Sequence, residues 1–292
     1  MRSTQLTALS IGLFLVAMSG VALNNRSAVS INGLDTNACT VAAPCRTFTT
    51  ALSATASGGE VVALDSAGYG PFAIAQDVTV VGAPGAHAAI TALSGDAIDV
   101  GSGVDATIDN LTIVGGPMSL RGIRDQGAAR LHVTRCFITG LSAGTGIQTT
   151  ETSPGSQPAT LIDHTTFDFS FLGVDFADST GAVTSCSFNY DFNAVNVESV
   201  TDVADVSIID STVNGSQIGV NATGVNGIVR ILRCSLANST LVVEGSAGHT
   251  AFLLLHDNYF ESVTGTGQYQ LLSYGNNAIR NLTATLTPLP LQ

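Results

Sequence analysis

Seven segments between Asp105 and Glu261 stack on one column of residues: Leu111, Cys136, Thr165, Cys186, Ser211, Cys234 and Asn258. Three residues before each stands Ile108, Val133, Ile162, Val183, Ile208, Ile231 or Leu255, and two residues after stands Ile113, Ile138, Phe167, Phe188, Val213, Leu236 or Phe260. All fourteen flanking positions are large and apolar, so burial fixes the register of the repeat. The column residues are 25, 29, 21, 25, 23 and 24 positions apart, too long a period for a heptad and too irregular for helical repeats of fixed length. A period in the low twenties, with β-branched residues and Gly-rich connections, is what stacked β coils require.

Each segment carries a second apolar strand. Val174, Val195, Val220 and Val243 follow seven residues after the first, with Ile123 and Ile147 slightly later in the two earlier coils. Around them the chain reads Gly-Ile-Arg, Gly-Ile-Gln, Gly-Val-Asp, Ala-Val-Asn, Gly-Val-Asn and Val-Val-Glu. One coil therefore holds two or three short strands, and the small residue before the strand is expected to permit a sharp bend. A single coil cannot bury its inward side chains, whereas stacked coils pair their backbones and close a shared interior.

This pattern resembles the right-handed parallel β-helix of the pectate-lyase-like superfamily. The segments Pro44-Cys45-Arg46-Thr47-Phe48, Ala51-Leu52, Gly58-Gly59-Glu60-Val61-Val62 and Gly68-Tyr69-Gly70 look like the entry module of secreted β-helix proteins, in which a short helix caps the stack. The resemblance runs from about Val29 to Asn281. It implies an all-β chain, a single-stranded right-handed parallel β-helix of about nine to eleven coils behind a short N-terminal capping helix. The chain then divides into a leader at 1–22, an N-terminal segment and cap at 23–60, the β-helix at 61–270 and a C-terminal tail at 271–292 that crosses the last coil and shields its edge.

The leader carries Arg2, an apolar run from Leu9 to Met18 and the ending Gly20-Val21-Ala22, the layout of a cleaved secretory signal. An uncleaved anchor is the alternative, but the run falls short of the ~20 apolar residues that span a bilayer. Export places the chain in a secreted, periplasmic or cell-surface setting, with no membrane span after cleavage. Ten basic residues, none of them lysine, face 22 acidic ones for a net charge of −12. Phosphate backbones and anionic membrane surfaces repel such a chain, so nucleic acid is a poor partner.

Cys39 and Cys45, six apart in the exported entry segment, are expected to form a disulfide. Cys136, Cys186 and Cys234 recur in every second coil, about 9.6 Å apart at ~4.8 Å per coil, beyond the ~7 Å reach of a disulfide. They are read as buried free thiols filling small apolar spaces.

Two sets of residues could carry chemistry. An outward polar column, Arg124, Gln148, Asp175, Asn196, Asn221 and Glu244, follows the second apolar strand and offers a ladder of donors and acceptors to glycan hydroxyls. Phe169 over Tyr190 is the aromatic pair expected to be exposed beside it, while Phe171 opposite Phe192 reads as a packed pair. The plainer reading is solvated strand positions and ordinary ring packing. Acids crowd the central coils at Asp163, Asp168, Asp175, Asp178, Asp191 and Glu198, and residues one or two coils apart meet the ~5–9.5 Å spacing of glycosidase carboxylates. Asp210, Arg233 and Asp257 alternate in sign on consecutive coils, as a structural ion-pair ladder would, and His164 should neighbour Arg135.

Lyases that resemble this fold pair calcium-holding acids with a basic proton acceptor, but no Lys or Arg falls between Leu141 and Val229. The Asn-Thr-Asp, Gly-His-Gly and Arg-Ile-Lys signatures of polygalacturonase-like enzymes are absent, as are Gly-Gly-x-Gly-x-Asp calcium repeats. Gly140-Leu141-Ser142-Ala143-Gly144 matches the letters of a nucleophile elbow but falls between β strands. The leading expectation is a non-catalytic surface protein presenting a face for a polysaccharide, a cell-surface glycan or another partner, with no metal site and no cofactor. The alternatives are a polysaccharide lyase or glycoside hydrolase using the central acids, with calcium only in the lyase case, and a purely structural spacer.

Overall fold

The computed structural model describes residues 23–150, 159–199, 204–223, 227–244, 251–267, 269–274 and 276–288. The expected leader at 1–22 lies outside the described residues. The rest is a right-handed parallel β-helix, whose regular part makes about seven turns. Three faces run along it. On face one, twelve strands among the described residues pair in parallel from Asn24–Val29 at one end to Leu286–Pro288 at the other. Face two holds the short strands Phe137–Thr139, Thr166–Asp168, Ser187–Asn189 and Thr212–Asn214. Face three holds Thr145–Thr150, Leu172–Ala177, Asn193–Glu198 and Ile218–Thr223. In the coils before and after these, faces two and three merge into single strands such as Thr112–Asp125 and Ser235–Glu244.

The stacking is in register. Ile138 pairs with Phe167, Phe167 with Phe188 and Phe188 with Val213, so one inward column becomes one wall of the core. Phe167 and Phe188 are fully buried and stack at 4.7 Å with planes 5° apart. Burying a side chain of this size contributes about 1.5–3 kcal/mol.

Two corners bend each coil, and both use the left-handed backbone region. At the first corner, between faces one and two, Asn110, Arg135, His164, Ser185, Asp210, Arg233 and Asp257 all have φ between 47° and 54°. These are the residues immediately before the repeat column, and none is glycine. A non-glycine residue there costs about 1–2 kcal/mol, so the interlocking of the stack has to hold it. At the second corner, between faces two and three, Gly140, Phe169, Tyr190, Gly215 and Asn238 take the same conformation, with φ from 52° to 78°.

The small residues before the face-three strands serve space rather than bending. Gly122, Gly146, Gly173 and Gly219 do not have positive φ. A Cβ on Gly146 would lie 2.9 Å from the Phe167 ring, and one on Gly173 would lie 2.5 Å from the Ala194 carbonyl and 2.9 Å from the Phe188 ring. Their absence of a side chain is what admits the core phenylalanines. Any larger residue at Gly173 forces the backbone to shift.

The cysteine column gains a meaning that spacing did not reveal. After the bend, the Cys136 N–H is accepted by Thr165 Oγ1 of the next coil (3.3 Å), Cys186 N–H by Ser211 Oγ (3.1 Å) and Cys234 N–H by Asn258 Oδ1 (2.8 Å). Cys alternates with Thr, Ser and Asn because each cysteine's amide needs an acceptor from the coil above. The thiols are more than apolar fillers: each donates weakly to two backbone carbonyls, as Cys234 Sγ does to Leu232 (3.2 Å) and Ile208 (3.4 Å). All three are buried and free, and burial pushes them up to about 12, 12 and 11 for Cys136, Cys186 and Cys234.

At the N-terminal end, Phe48–Ser53 forms the short helix, N-capped by Thr47, with Phe48, Ala51 and Leu52 buried. Cys39 and Cys45 are disulfide-bonded beside it, their Cα atoms 4.6 Å apart. The C-terminal segment does not cross the last coil. Tyr269–Ser273, Ala278–Leu282 and Leu286–Pro288 continue the winding in parallel register. Pro288, which has no N–H to give, ends the last of the described strands.

Candidate functional site

The outward polar column is present, but its groups are spent on one another. Gln148 Nε2 donates to Asp175 Oδ2 (2.9 Å), Asn196 Nδ2 to Asp175 Oδ1 (2.8 Å), Asn221 Nδ2 to Asn196 Oδ1 (2.8 Å) and Thr223 Oγ1 to Asn221 Oδ1 (3.1 Å). Asp175 and Asn196 are buried within this chain of bonds. Arg121, not Arg124, reaches Gln148 (2.8 Å), while Arg124 lies 3.9 Å from Asp96. The column starts a coil earlier than its sequence suggests, because Asp99 pairs with Arg124. Glu244 does not belong to it: Val220 pairs with Leu241 and Asn221 with Val242, leaving Glu244 opposite Thr223. The corner between Leu236 and Leu241 is two residues shorter than in the preceding coils, and counting seven from Leu236 overshoots. Few donors or acceptors of this face are left for a ligand.

The six acids fall into three places. Asp163 sits by the first corner; burial pushes its carboxyl up, but hydrogen bonds from His164 and Thr134 (3.0 Å) outweigh this and hold it below the usual range. His164 thus faces Asp163 rather than Arg135, which pairs with Asp109. Of the alternating charges, Arg233 grips Asp210 with Nε and Nη2 (2.6 and 2.8 Å), while Asp257 turns to His256 (3.4 Å). Asp175, Asp178 and Glu198 gather at the end of face three. Burial, then the charges of Asp175 and Asp178, raise Glu198.

Asp168 and Asp191 belong to the second corner. There the chain runs Phe167-Asp168-Phe169-Ser170-Phe171 in one coil and Phe188-Asn189-Tyr190-Asp191-Phe192 in the next. Simple alternation from the inward Phe167 would bury Phe169 and Phe171. The left-handed residue resets the alternation, so Ser170 and Asp191 turn in while the rings on either side turn out. Phe169 and Tyr190 are 55% and 57% exposed and stack at 5.4 Å. Phe171 and Phe192, expected to be packed away, are 44% and 43% exposed and stack at 5.0 Å with planes 8° apart.

The two aromatic pairs border an open pocket of about 360 Å³, whose remaining lining is Ser142, Ser170, Asp191, Gly215 and Gln217. The coils to either side keep the pocket open. Gly215 follows Tyr190 on the column, and a Cβ there would lie 2.8 Å from the Tyr190 ring. Gly140 and Ser142 flank the other side, which places the would-be elbow serine in an exposed turn. Rings of this size with φ above zero are rare, and such strain gathers where function demands it.

Polar groups at this corner are also unusually short of partners. Asp191 is buried, and its Oδ1 accepts the Ser170 N–H (2.7 Å), yet its Oδ2 has none. Ser170 Oγ, Asn193 Oδ1 and Ser216 Oγ, on three adjoining coils, are likewise buried without a partner. Each such group costs about 1–3 kcal/mol. By contrast, buried Asp125 bonds Gly127 and Ala128 N–H groups with one oxygen and Thr160 with the other. Burial pushes Asp191 up to about 7; the Ser170 N–H opposes this, the Asp168 charge adds to it, and the nearby Ser170 hydroxyl opposes it weakly although its Oγ lies outside hydrogen-bond geometry. The inaccessible carboxyl cannot touch a substrate oxygen, so it caps the corner rather than serving as a surface acid. Among the described residues, no group of three or more His, Cys, Asp or Glu is arranged to hold a metal ion.

No protein-family model matches the sequence, nor does any curated protein. Among solved structures, the chain is similar to pectate lyase Pel9A (TM-score 0.44, 11% identity, 86% of this chain and 80% of that one). It is similar also to XylC in complex with xylose (TM-score 0.43, 10% identity, 87% and 70%) and to a rhamnogalacturonan lyase (TM-score 0.41, 10% identity, 89% and 82%).

Proposed function

We propose that this chain is a secreted or surface-associated glycan-binding protein, without catalysis, whose site is the aromatic pocket of the second corner rather than the polar strand face. One observation carries the reading. Phe169 and Tyr190 occupy left-handed positions where the neighbouring coils place Gly140 and Gly215. A smaller residue would take the same bend with less strain, and the two rings stand exposed beside the pocket, which supports a role for them in binding. Exposed aromatic faces suit the apolar faces of sugar rings, while the Ser142 hydroxyl and the Gln217 amide suit sugar hydroxyls. The test is retention of the mature chain on immobilised polysaccharides, compared with the double variant Tyr190→Gly, Phe192→Ala. Retention should vanish while circular dichroism is unchanged. Undiminished retention would remove the pocket from the argument.

A second reading rests on Glu198, whose carboxyl is raised by burial and by the charges of Asp175 and Asp178. It makes the chain a glycoside hydrolase. New reducing ends from a polysaccharide, lost in Glu198→Gln, would establish it; no product with the wild type would dismiss it.

A further inference from the structure

We infer that the pocket selects uncharged glycans and rejects polyuronates. The inference rests on the pocket being a glycan site, as proposed above, and adds the charge class of its ligand. Among the described residues, the lining holds no Arg or His, and the chain has no Lys. What it offers a ligand is four aromatic rings, the Ser142 hydroxyl and the Gln217 amide. Besides the Tyr190 phenol, the acids here are carboxyls: Asp191 in the lining and Asp168, one residue before Phe169. A uronate carboxylate brought here would find no cation to pair with and would lose hydration for nothing. The wider field has the same sign, with a net charge of −12 and no Arg between Arg135 and Arg230.

The same lining argues against a cationic sugar. A cation site needs a charged acceptor within contact. Asp191 Oδ2 is sealed from solvent, its carboxyl is held toward the neutral form by burial, and Asp168 stands outside the lining. An uncharged sugar has no such requirement. It can stack on the rings and exchange hydroxyl bonds with the serine and glutamine.

The experiment is affinity electrophoresis of the full mature chain through gels containing galactan, xyloglucan or mannan, polygalacturonate, or chitosan. Each is run at low salt and again near 1 M salt, where the screening length falls to about 3 Å. The expected result is retardation by at least one neutral polymer, none by polygalacturonate at low salt, and a weak gain for polygalacturonate at high salt. Gln217→Arg, a change at an exposed lining position, should raise polygalacturonate affinity about tenfold at low salt, as a new complementary charge does. Stronger retardation by polygalacturonate or chitosan than by every neutral polymer overturns the selectivity while leaving the glycan pocket standing. Failure of Gln217→Arg to change polygalacturonate binding also overturns it, because charge is then not the cause of rejection. Silence with all polymers, at both salt concentrations, fells the pocket reading and this inference together.

Discussion

The first and second corners are built with one backbone device and put to different ends. Both bend the chain through a left-handed residue, turn the next residue inward, and satisfy the N–H after the bend with a side chain from the coil above. At the first corner the acceptors are Thr165, Ser211 and Asn258, neutral groups whose own donors also find carbonyls: Thr165 bonds Asp163, Ser211 bonds Ile209 and Asn258 bonds Ile231. At the second, the acceptor is a buried carboxyl with a spare oxygen, under four exposed rings. At the first corner the capping groups are satisfied, although Asp109 Oδ1, one residue before the bend at Asn110, is buried without a partner. A corner that keeps strain, unpaired polar atoms and exposed rings on the same two coils is what a binding site looks like before its ligand arrives.

The largest expected effect separates the two corners by pH. Asp191 is raised from 3.8 to about 7. Between about pH 4 and 7, the unfolded chain has released this proton while the folded chain keeps it. The folded state therefore binds more protons, and stability falls as pH rises, by up to about 1.4 kcal/mol per unit. Asp163 at the first corner is lowered, so its contribution is present above the unfolded value and lost as pH falls through the folded one. Asp191→Asn keeps an acceptor for Ser170 N–H and should gain on the order of 2–4 kcal/mol at pH 7, with no gain near pH 4. Urea unfolding across that range checks it. The slope will flatten without vanishing, since Asp125 and Glu198 are also raised. Equal gains at both pH values would mean that the acid is not the source.

A second pair of variants tests the caps themselves. Thr165→Val preserves shape at the first corner but leaves the Cys136 N–H buried without an acceptor, which should cost about 1–3 kcal/mol. Ser216→Ala at the second corner removes a buried hydroxyl that has no partner, so stability should hold or rise. The comparison breaks if the two losses are alike.

The inward columns were legible in the sequence, but the bends of both corners were not, for a physical reason. Burial writes the inward columns as Ile, Val, Leu and Phe at fixed offsets, so the coils and their stacking follow from counting. The bends before Cys136, Cys186 and Cys234 are carried by Arg, Ser and Arg, which do not announce a positive φ. At the second corner a left-handed Phe169 or Tyr190 resets the inward and outward alternation, so counting from Phe167 hid the exposure of Phe171 and Phe192. The same corner shortens after Leu236, and Glu244 was carried off its column. A signal did exist: Gly140 and Gly215 share a column with the two rings, and aromatic residues standing where neighbours have glycine mark strain. The polar column was legible as a column; that its amides bond one another depends on side-chain geometry that no spacing encodes.

A smaller effect comes from relieving the strain. Tyr190→Gly should recover about 1–2 kcal/mol of left-handed backbone cost and forfeit about 0.5–1.5 kcal/mol of ring contact with Phe169. The net change in melting temperature should be slight, while glycan retention is lost. Arg135→Gly at the first corner makes the same backbone change and should leave retention intact. Loss of binding in both would mean a general effect of loosening the corners rather than removal of a ring.

The smallest effect belongs to the charges on the outside of the first corner. Arg233 holds both oxygens of Asp210, and the pair lowers the Asp210 carboxyl, but both groups stand in solvent. Exposed pairs exchange hydration for contact with little net gain, and salt screens what remains. Arg233→Gln should leave the melting temperature within the scatter of repeat measurements at physiological salt. Were it to destabilise the chain as much as Thr165→Val, the first corner would be held by its outer charges and not by its inner caps. The difference between the corners would then lie in what they show to solvent, rather than in which of them leaves its capping side chains unsatisfied.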